Sequence, residues 1–187
     1  MMGSIVTLTG ASGVGKTTIT DKLLLSIPDI KFIGTLNTRE RRKIDRPEDS
    51  YSVSQQEFEK RKQAGEFLWT VKVHEHWKGT LKSAVDDALL RPSSSLIILV
   101  PEIVPILLKY APNHVFSFFI PSPSEEILRA RLLKRGDSSQ DIEQRINDCK
   151  RWDDAAKASG LPYIFITNEG PIEDTVSQIL RNLPRGY

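Results

Sequence analysis

The 187 residues are 39% hydrophobic and 27% charged, a length and composition suited to one soluble domain that buries about 70% of its unfolded surface. No apolar run approaches the roughly 18 residues needed to span a bilayer, and a net charge of +2 is too weak to argue for nucleic acid, so neither a membrane nor a nucleic acid is expected as a partner. The opening MMGSIVTLTG has no basic leader or small-residue cleavage site, and Cys149 is the single cysteine; a cytoplasmic protein with a free core thiol is expected.

Ser4 to Thr9 (SIVTLT) is a β-branched and apolar run that ends at Gly10 and reads as a buried strand. Thr17 to Leu25 has helical spacing, with Ile19, Leu23 and Leu24 apolar. Ile30 to Thr35 reads as a second strand, and the charged stretch from Asn37 to Ser50, which carries Pro47, as an exposed loop. Ser54 and Glu57 have capping-box spacing and open a helix to about Lys62, which Gly65 ends. Phe67 to Val73 alternates as a strand does, and Lys82 to Leu90 fits a short helix. Leu96 to Val100 (LIILV) is the strongest central-strand candidate, with Val115 to Ile120 and Tyr163 to Thr167 as further strands. Pro123 stands at an expected first helical position, with Ser122 and Glu125 at capping-box spacing, and this helix runs to about Arg135 and stops at Gly136. A longer helix follows from Gln140 to Lys157 and a last one from Ile172 to Leu183. Strands alternating with helices predict a parallel sheet covered on both faces. Residues from Thr35 to Gly79 break that rhythm and read as an inserted lobe.

The run GASGVGKTT, Gly10 to Thr18, fits Gly-x-x-x-x-Gly-Lys-[Ser/Thr] at the predicted strand-to-helix junction. Gly10, Gly13 and Gly15 let the backbone turn its N–H groups inward around an anion, with Ala11, Ser12 and Val14 completing the loop and Thr18 following it. The positive end of the next helix faces the same point. Lys16 can reach the β- and γ-phosphates as a point charge, and the Thr17 hydroxyl can ligate Mg²⁺. A nucleoside triphosphate, ATP or GTP, with Mg²⁺ is the expected ligand.

Thr35-Leu36-Asn37-Thr38-Arg39, then Arg42, then Tyr51-Ser52-Val53-Ser54 with Phe58, resembles the acceptor-binding segment of guanylate kinases. Gly65-Glu66-Phe67-Leu68, Val73-His74 and Gly79-Thr80 extend the match. Arg131 with Arg135-Gly136 resembles that family's lid, Arg145 its phosphate-facing arginine, and Asn168 its adenine-side asparagine. The resemblance runs in register over nearly the whole chain. It implies an α/β P-loop three-layer fold with a parallel five-stranded core sheet, in a single domain over 1–187. The core would take about 1–34 and 81–187, an inserted acceptor-binding lobe about 35–80, and a lid about 131–145. The implied reaction moves the γ-phosphoryl group of ATP to the phosphate of a nucleoside monophosphate, GMP first, in a monomer or homodimer. In that reading Lys16, Arg131 and Arg145 steady the charge of the transferred group. Arg39 and Arg42 clasp the acceptor phosphate through their two-pronged guanidiniums, with Tyr51 adding a neutral donor. Thr35, Trp69, Lys78 and Thr80 would also face the small-molecule acceptor, and Arg135 and Asn168 the ATP.

Three positions depart from the family. Trp69 replaces a glutamate that accepts hydrogen bonds from guanine, Lys78 replaces a tyrosine, and Leu99-Val100-Pro101 replaces acidic residues at the end of the central strand. Glu66, Glu75 and Glu102 are the carboxylates left to approach a guanine base. Trp69 offers a donor where an acceptor is wanted, so it either stacks on a ring or fills space. Lys78 suits an acceptor with extra negative charge. Two further readings therefore stand beside the first: a kinase of a phosphorylated sugar such as ribose 1,5-bisphosphate, and a non-catalytic guanylate-kinase-like binding module. The intact Lys16 and Thr17 argue against the second of these.

Overall fold

The structure, a computed structural model, describes residues 3–27, 29–40, 50–73 and 75–183. Its first sheet contains β1 (Ile5–Thr9), β2 (Lys31–Phe32), β7 (Ser95–Ile98), β8 (Val115–Phe119) and β9 (Tyr163–Phe165), in the order β2-β7-β1-β8-β9 and parallel throughout. The second, from residues between them in sequence, contains β3 (Thr35–Asn37), β4 (Ser50–Ser52), β5 (Phe67–Val73) and β6 (His76–Leu81), in the order β4-β3-β6-β5.

The period of two along each strand sorts the first sheet's side chains into two cores. Val6, Leu8, Leu96 and Phe118 pack with Ile19 and Leu23 of α1 (Lys16–Ser26), Leu128 and Leu132 of α5 (Glu125–Arg135), Ile142 and Ile146 of α6 (Ser139–Ala158), and Val176 and Ile179 of α7 (Ile172–Asn182). On the opposite face Ile5, Ile97 and Leu99 pack with Val85, Ala88 and Leu89 of α3 (Lys82–Leu90) and with Val104 and Leu107 of α4 (Val104–Tyr110). Helices on both faces of a parallel sheet give the expected three layers. The chain leaves β1 between β7 on one side and β8 on the other. Strand order reverses there, which opens a crevice at the carboxyl end of β1.

The second sheet has a small core of its own, Leu36, Phe58 and Phe67. Phe58 comes from α2 (Gln55–Gln63) and stacks on Phe67 with ring centroids 4.6 Å apart. As the capping-box spacing predicts, Ser54 Oγ accepts from Glu57 N at 3.1 Å.

Several elements differ from the sequence reading. The strand expected over Ile30 to Thr35 ends at Phe32, and Thr35 opens β3 in the other sheet, because the chain changes sheets at Ile33-Gly34. The cap of α5 is Ser124, whose Oγ accepts from Ile127 N at 3.4 Å, and Pro123 precedes the cap instead of opening the helix. Ser122 is held outside by Asp153, whose Oδ2 accepts from Ser122 N at 2.9 Å. Starting at Glu125 places Glu125 and Glu126 in the first turn, where they complement the helix dipole. The sequence reading held no counterpart of β6, of α4, or of the 3₁₀ turn Pro101–Ile103; in both helical pieces a proline occupies the first turn, where its missing N–H costs nothing. No helix among the described residues is long and apolar enough to cross a membrane.

Candidate active site

Gly10 follows β1 directly, and Gly15 is the N-cap of α1. Gly13 and Gly15 hold φ of 91° and 101°, the left-handed region that glycine tolerates. A Cβ on Gly13 would lie 2.8 Å from Leu128 Cδ1, and one on Gly15 would lie 2.3 Å from Asn168 Nδ2. With no side chain at the N-cap, the first-turn N–H groups of α1 face the loop, a favourable place for an anion. Lys16 Nζ donates to Gly10 O at 2.7 Å and Ala11 O at 2.8 Å, so its ammonium curls into the loop. Burial is the main reason its pKa falls from 10.5 to about 8; Cys149 opposes the fall, while the cations Lys78 and Arg135 add to it.

The loop is braced from outside. Asn168 Nδ2 donates to Val14 O at 2.7 Å, and Asn168 Oδ1 accepts from Thr175 Oγ1 at 3.0 Å. Arg131 Nη2 donates to Asn168 O at 2.8 Å. The Asn168 amide, expected on the adenine side, holds the loop with one of its two N–H groups and also lines the cleft. Ser12 Oγ accepts from Arg145 Nη1 at 2.8 Å and Arg135 Nη1 at 3.2 Å. Asp137, in the turn between α5 and α6, pairs with Arg135 and lies 3.3 Å from Arg145 Nε.

One cleft of about 640 Å³ joins these parts. Ser12, Lys16, Thr17 and Thr18 line it from the loop, with Arg131, Arg135 and Asn168 beside them. Thr35, Arg39, Ser50 and Lys78 line it from the second sheet. Arg39 is anchored through its backbone: its N–H donates to Asn37 Oδ1 at 2.7 Å, and its carbonyl accepts from Ser52 Oγ at 2.9 Å. Five cations thus face one cavity, and no described residue lining it is a carboxylate. The opposed groups can hold a polyphosphate at the glycine loop and a second phosphate against the small sheet.

Other expected residues sit elsewhere. Gly10, Ala11 and Val14 form the back of the loop, with the Ala11 and Val14 side chains in the core. Tyr51 does not meet Arg39; adjacent strand residues face opposite ways, so Ser50 enters the main cleft while Tyr51 lines a separate cavity of about 220 Å³ with Asp87 and Arg91. Trp69, expected against the acceptor, is a core residue packed with Val85, Ile97 and Leu99. Thr80, its partner on β6, is fully buried and not among the lining residues. Arg42 and His74 lie outside the described residues. The sequence reading missed Asp137 and Ser50. Asp137 stands just before the Ser138 cap of α6 and two residues after Arg135, a spacing that pairs charges across a turn.

The family model for guanylate kinase matches residues 2–184. The chain is 32% identical to the guanylate kinase of Thermotoga maritima over 183 residues, covering 96% of this chain and 86% of that protein. It is 37% identical to that of Helicobacter pylori over 145 residues, covering 76% and 70%. Among solved structures, guanylate kinase from Anaplasma phagocytophilum superposes with a TM-score of 0.67 at 26% identity, over 96% of this chain and 84% of that one. A glycine loop at the switch point of a parallel sheet, facing an arginine on an inserted sheet, is what these similarities lead one to find, and the chain belongs to the guanylate kinase family of P-loop nucleoside monophosphate kinases.

Proposed function

We propose that this enzyme transfers the γ-phosphoryl group of ATP to the phosphate of GMP, yielding ADP and GDP. The observation that carries the proposal is the single cleft in which Lys16 and the glycine loop face Arg39 and Lys78. An oxygen of the acceptor phosphate attacks the γ-phosphorus, and the bond from that phosphorus to the bridging oxygen of ADP breaks. Charge spreads over the equatorial oxygens of the transferred group, so catalysis rests on position and on fixed cations. Lys16 and the first-turn N–H groups of α1 hold the donor phosphates, Arg131 and Arg135 flank them, Arg145 braces the loop through Ser12, and Arg39 orients the acceptor. Thr17 begins the exposed side of α1 next to Lys16. That placement fits Mg²⁺, which keeps several waters and takes few protein oxygens. When bound, the ion would neutralise charge on the phosphate oxygens. The second sheet and the α5–α6 turn would close over both substrates and exclude water.

An ADP-release assay with GMP, dGMP and other nucleoside monophosphates tests the reading. Turnover with GMP is expected, and none with any monophosphate would end it.

Lys16 also gives ATP binding a pH dependence. With its pKa at about 8 in the free protein, the ammonium is largely neutral above that value. Polyphosphate favours the charged form, so binding above pH 8 draws a proton from solvent. Calorimetry at about pH 9 in buffers of different ionisation enthalpy should report uptake approaching one proton, with affinity falling up to about tenfold per pH unit. Heats independent of the buffer would refute the assignment.

A further inference from the structure

We infer that Thr175 is a positioning residue for ATP, one whose buried hydroxyl fixes the Asn168 amide and through it the Val14–Gly15 bend of the glycine loop. The inference rests on the kinase reading above. It concerns the donor end of the cleft, through a residue that is not part of the lining.

Thr175 is 1% exposed on α7. On a helix such a hydroxyl ordinarily turns back to a carbonyl of its own helix. That of Thr175 instead reaches the segment before the helix, 3.1 Å from Thr167 O and 3.0 Å from Asn168 Oδ1. Both of those atoms only accept, so the hydroxyl proton is shared between them.

The direction of the Asn168 amide follows from its surroundings. Its Nδ2 lies 2.7 Å from Val14 O, another atom that only accepts, so the NH₂ end faces the glycine loop and the carbonyl end faces α7. Thr175 Oγ1 is the donor that meets that carbonyl end. Asn168 is 6% exposed, so without the hydroxyl its Oδ1 has little water to turn to. A flip of the amide would set Oδ1 against Val14 O, oxygen against oxygen. The backbone around Asn168 is held by other bonds: Gln178 of α7 accepts from Thr167 N at 3.2 Å, and Arg131 Nη2 donates to Asn168 O at 2.8 Å. What is left for Thr175 to decide is the direction of the side chain. Val14 O stands immediately before Gly15, the N-cap of α1. A tilt at that carbonyl therefore moves the first-turn N–H groups that receive phosphate.

The test is the dissociation constant of ATP with Mg²⁺, measured by calorimetry, alongside KM for GMP. The proteins are the wild type, Thr175→Val, Thr175→Ser, Asn168→Ala and the double variant Asn168→Ala with Thr175→Val. Thr175→Val keeps the side chain's outline without its proton and should weaken ATP binding on the order of tenfold, as the loss of one buried hydrogen bond predicts. Thr175→Ser should restore most of that loss, and KM for GMP should change by less than about twofold in both. In Asn168→Ala the valine should add less than about twofold, because the amide through which the hydroxyl acts is already gone. Should the valine variant not fold, Thr175→Ala takes its place with the same expectations. Unchanged ATP affinity in Thr175→Val, a serine variant as weak as the valine one, an equal rise in KM for GMP, or an undiminished valine effect in Asn168→Ala would each overturn the inference while leaving the kinase standing. A wild type that binds no ATP would instead remove the kinase reading itself.

Discussion

Replacing Lys16 with alanine is expected to lower kcat/KM by about a thousandfold or more while the protein stays folded. The ammonium is the cation at the centre of the glycine loop, and no other described side chain donates to Gly10 O and Ala11 O. Its effect on stability has the opposite sign from its effect on activity. Burial holds the folded-state pKa at about 8, below the ordinary lysine value of 10.5. Between those values the unfolded chain binds a proton that the native lysine has released, so this group's contribution to stability grows as pH rises through that window. Below it, both states are charged and the native one carries the burial penalty in full. The stability of the wild type relative to Lys16→Ala should therefore rise from about pH 8 to about pH 10. Urea denaturation of both proteins across that range checks the sign, and ADP release checks the rate. Wild-type-like turnover in the variant would contradict the role given to the ammonium.

Gly15→Ala should be nearly as damaging, for a mechanical reason. Its φ of 101° is strained for alanine, at a cost of about 1–2 kcal/mol. The new Cβ would also sit 2.3 Å from Asn168 Nδ2, which must then release Val14 O. Loss of that buried hydrogen bond adds about 1–3 kcal/mol. A total of about 2–5 kcal/mol is expected in urea unfolding, together with roughly hundredfold weaker ATP binding as the loop spreads. Gly65→Ala is the control, because its φ of 68° is also left-handed but nothing lies within 4 Å of its Cβ. That variant should lose only about 1–2 kcal/mol and keep its nucleotide affinity. If Gly15→Ala behaves like Gly65→Ala, the brace from Asn168 is not what shapes the loop.

The parts of this molecule that were legible in its sequence are those set by local chemistry. GASGVGKTT announces both the turn and the ligand class, because glycines and a lysine at that spacing have few other uses. The strands of the parallel sheet stand out as apolar runs, and the Ser54 cap follows from its spacing to Glu57. What stayed hidden depends on facing and on distant partners. Tyr51 and Ser50 differ by one residue, and only the register of β4 against β3 decides which of them enters the cleft. Trp69 could be read as a ligand for a base until the packing of β5 against α3 and β7 showed it to be core. Asn168 acts on a loop more than 100 residues away, through a contact that no local window contains, whereas Asp137 stands two residues from Arg135 and eight from Arg145, within reach of a local reading.

The pairing of Arg135 and Arg145 with Asp137 and Ser12 has a consequence for how the phosphate end is occupied. Two long cationic side chains that would otherwise sample many rotamers are already converged before a nucleotide arrives, so little of their freedom remains to be lost on binding. On the proposed reading, a triphosphate entering that corner would meet an Arg135 already held by Asp137, the resident counter-ion, instead of gathering loose charges from water.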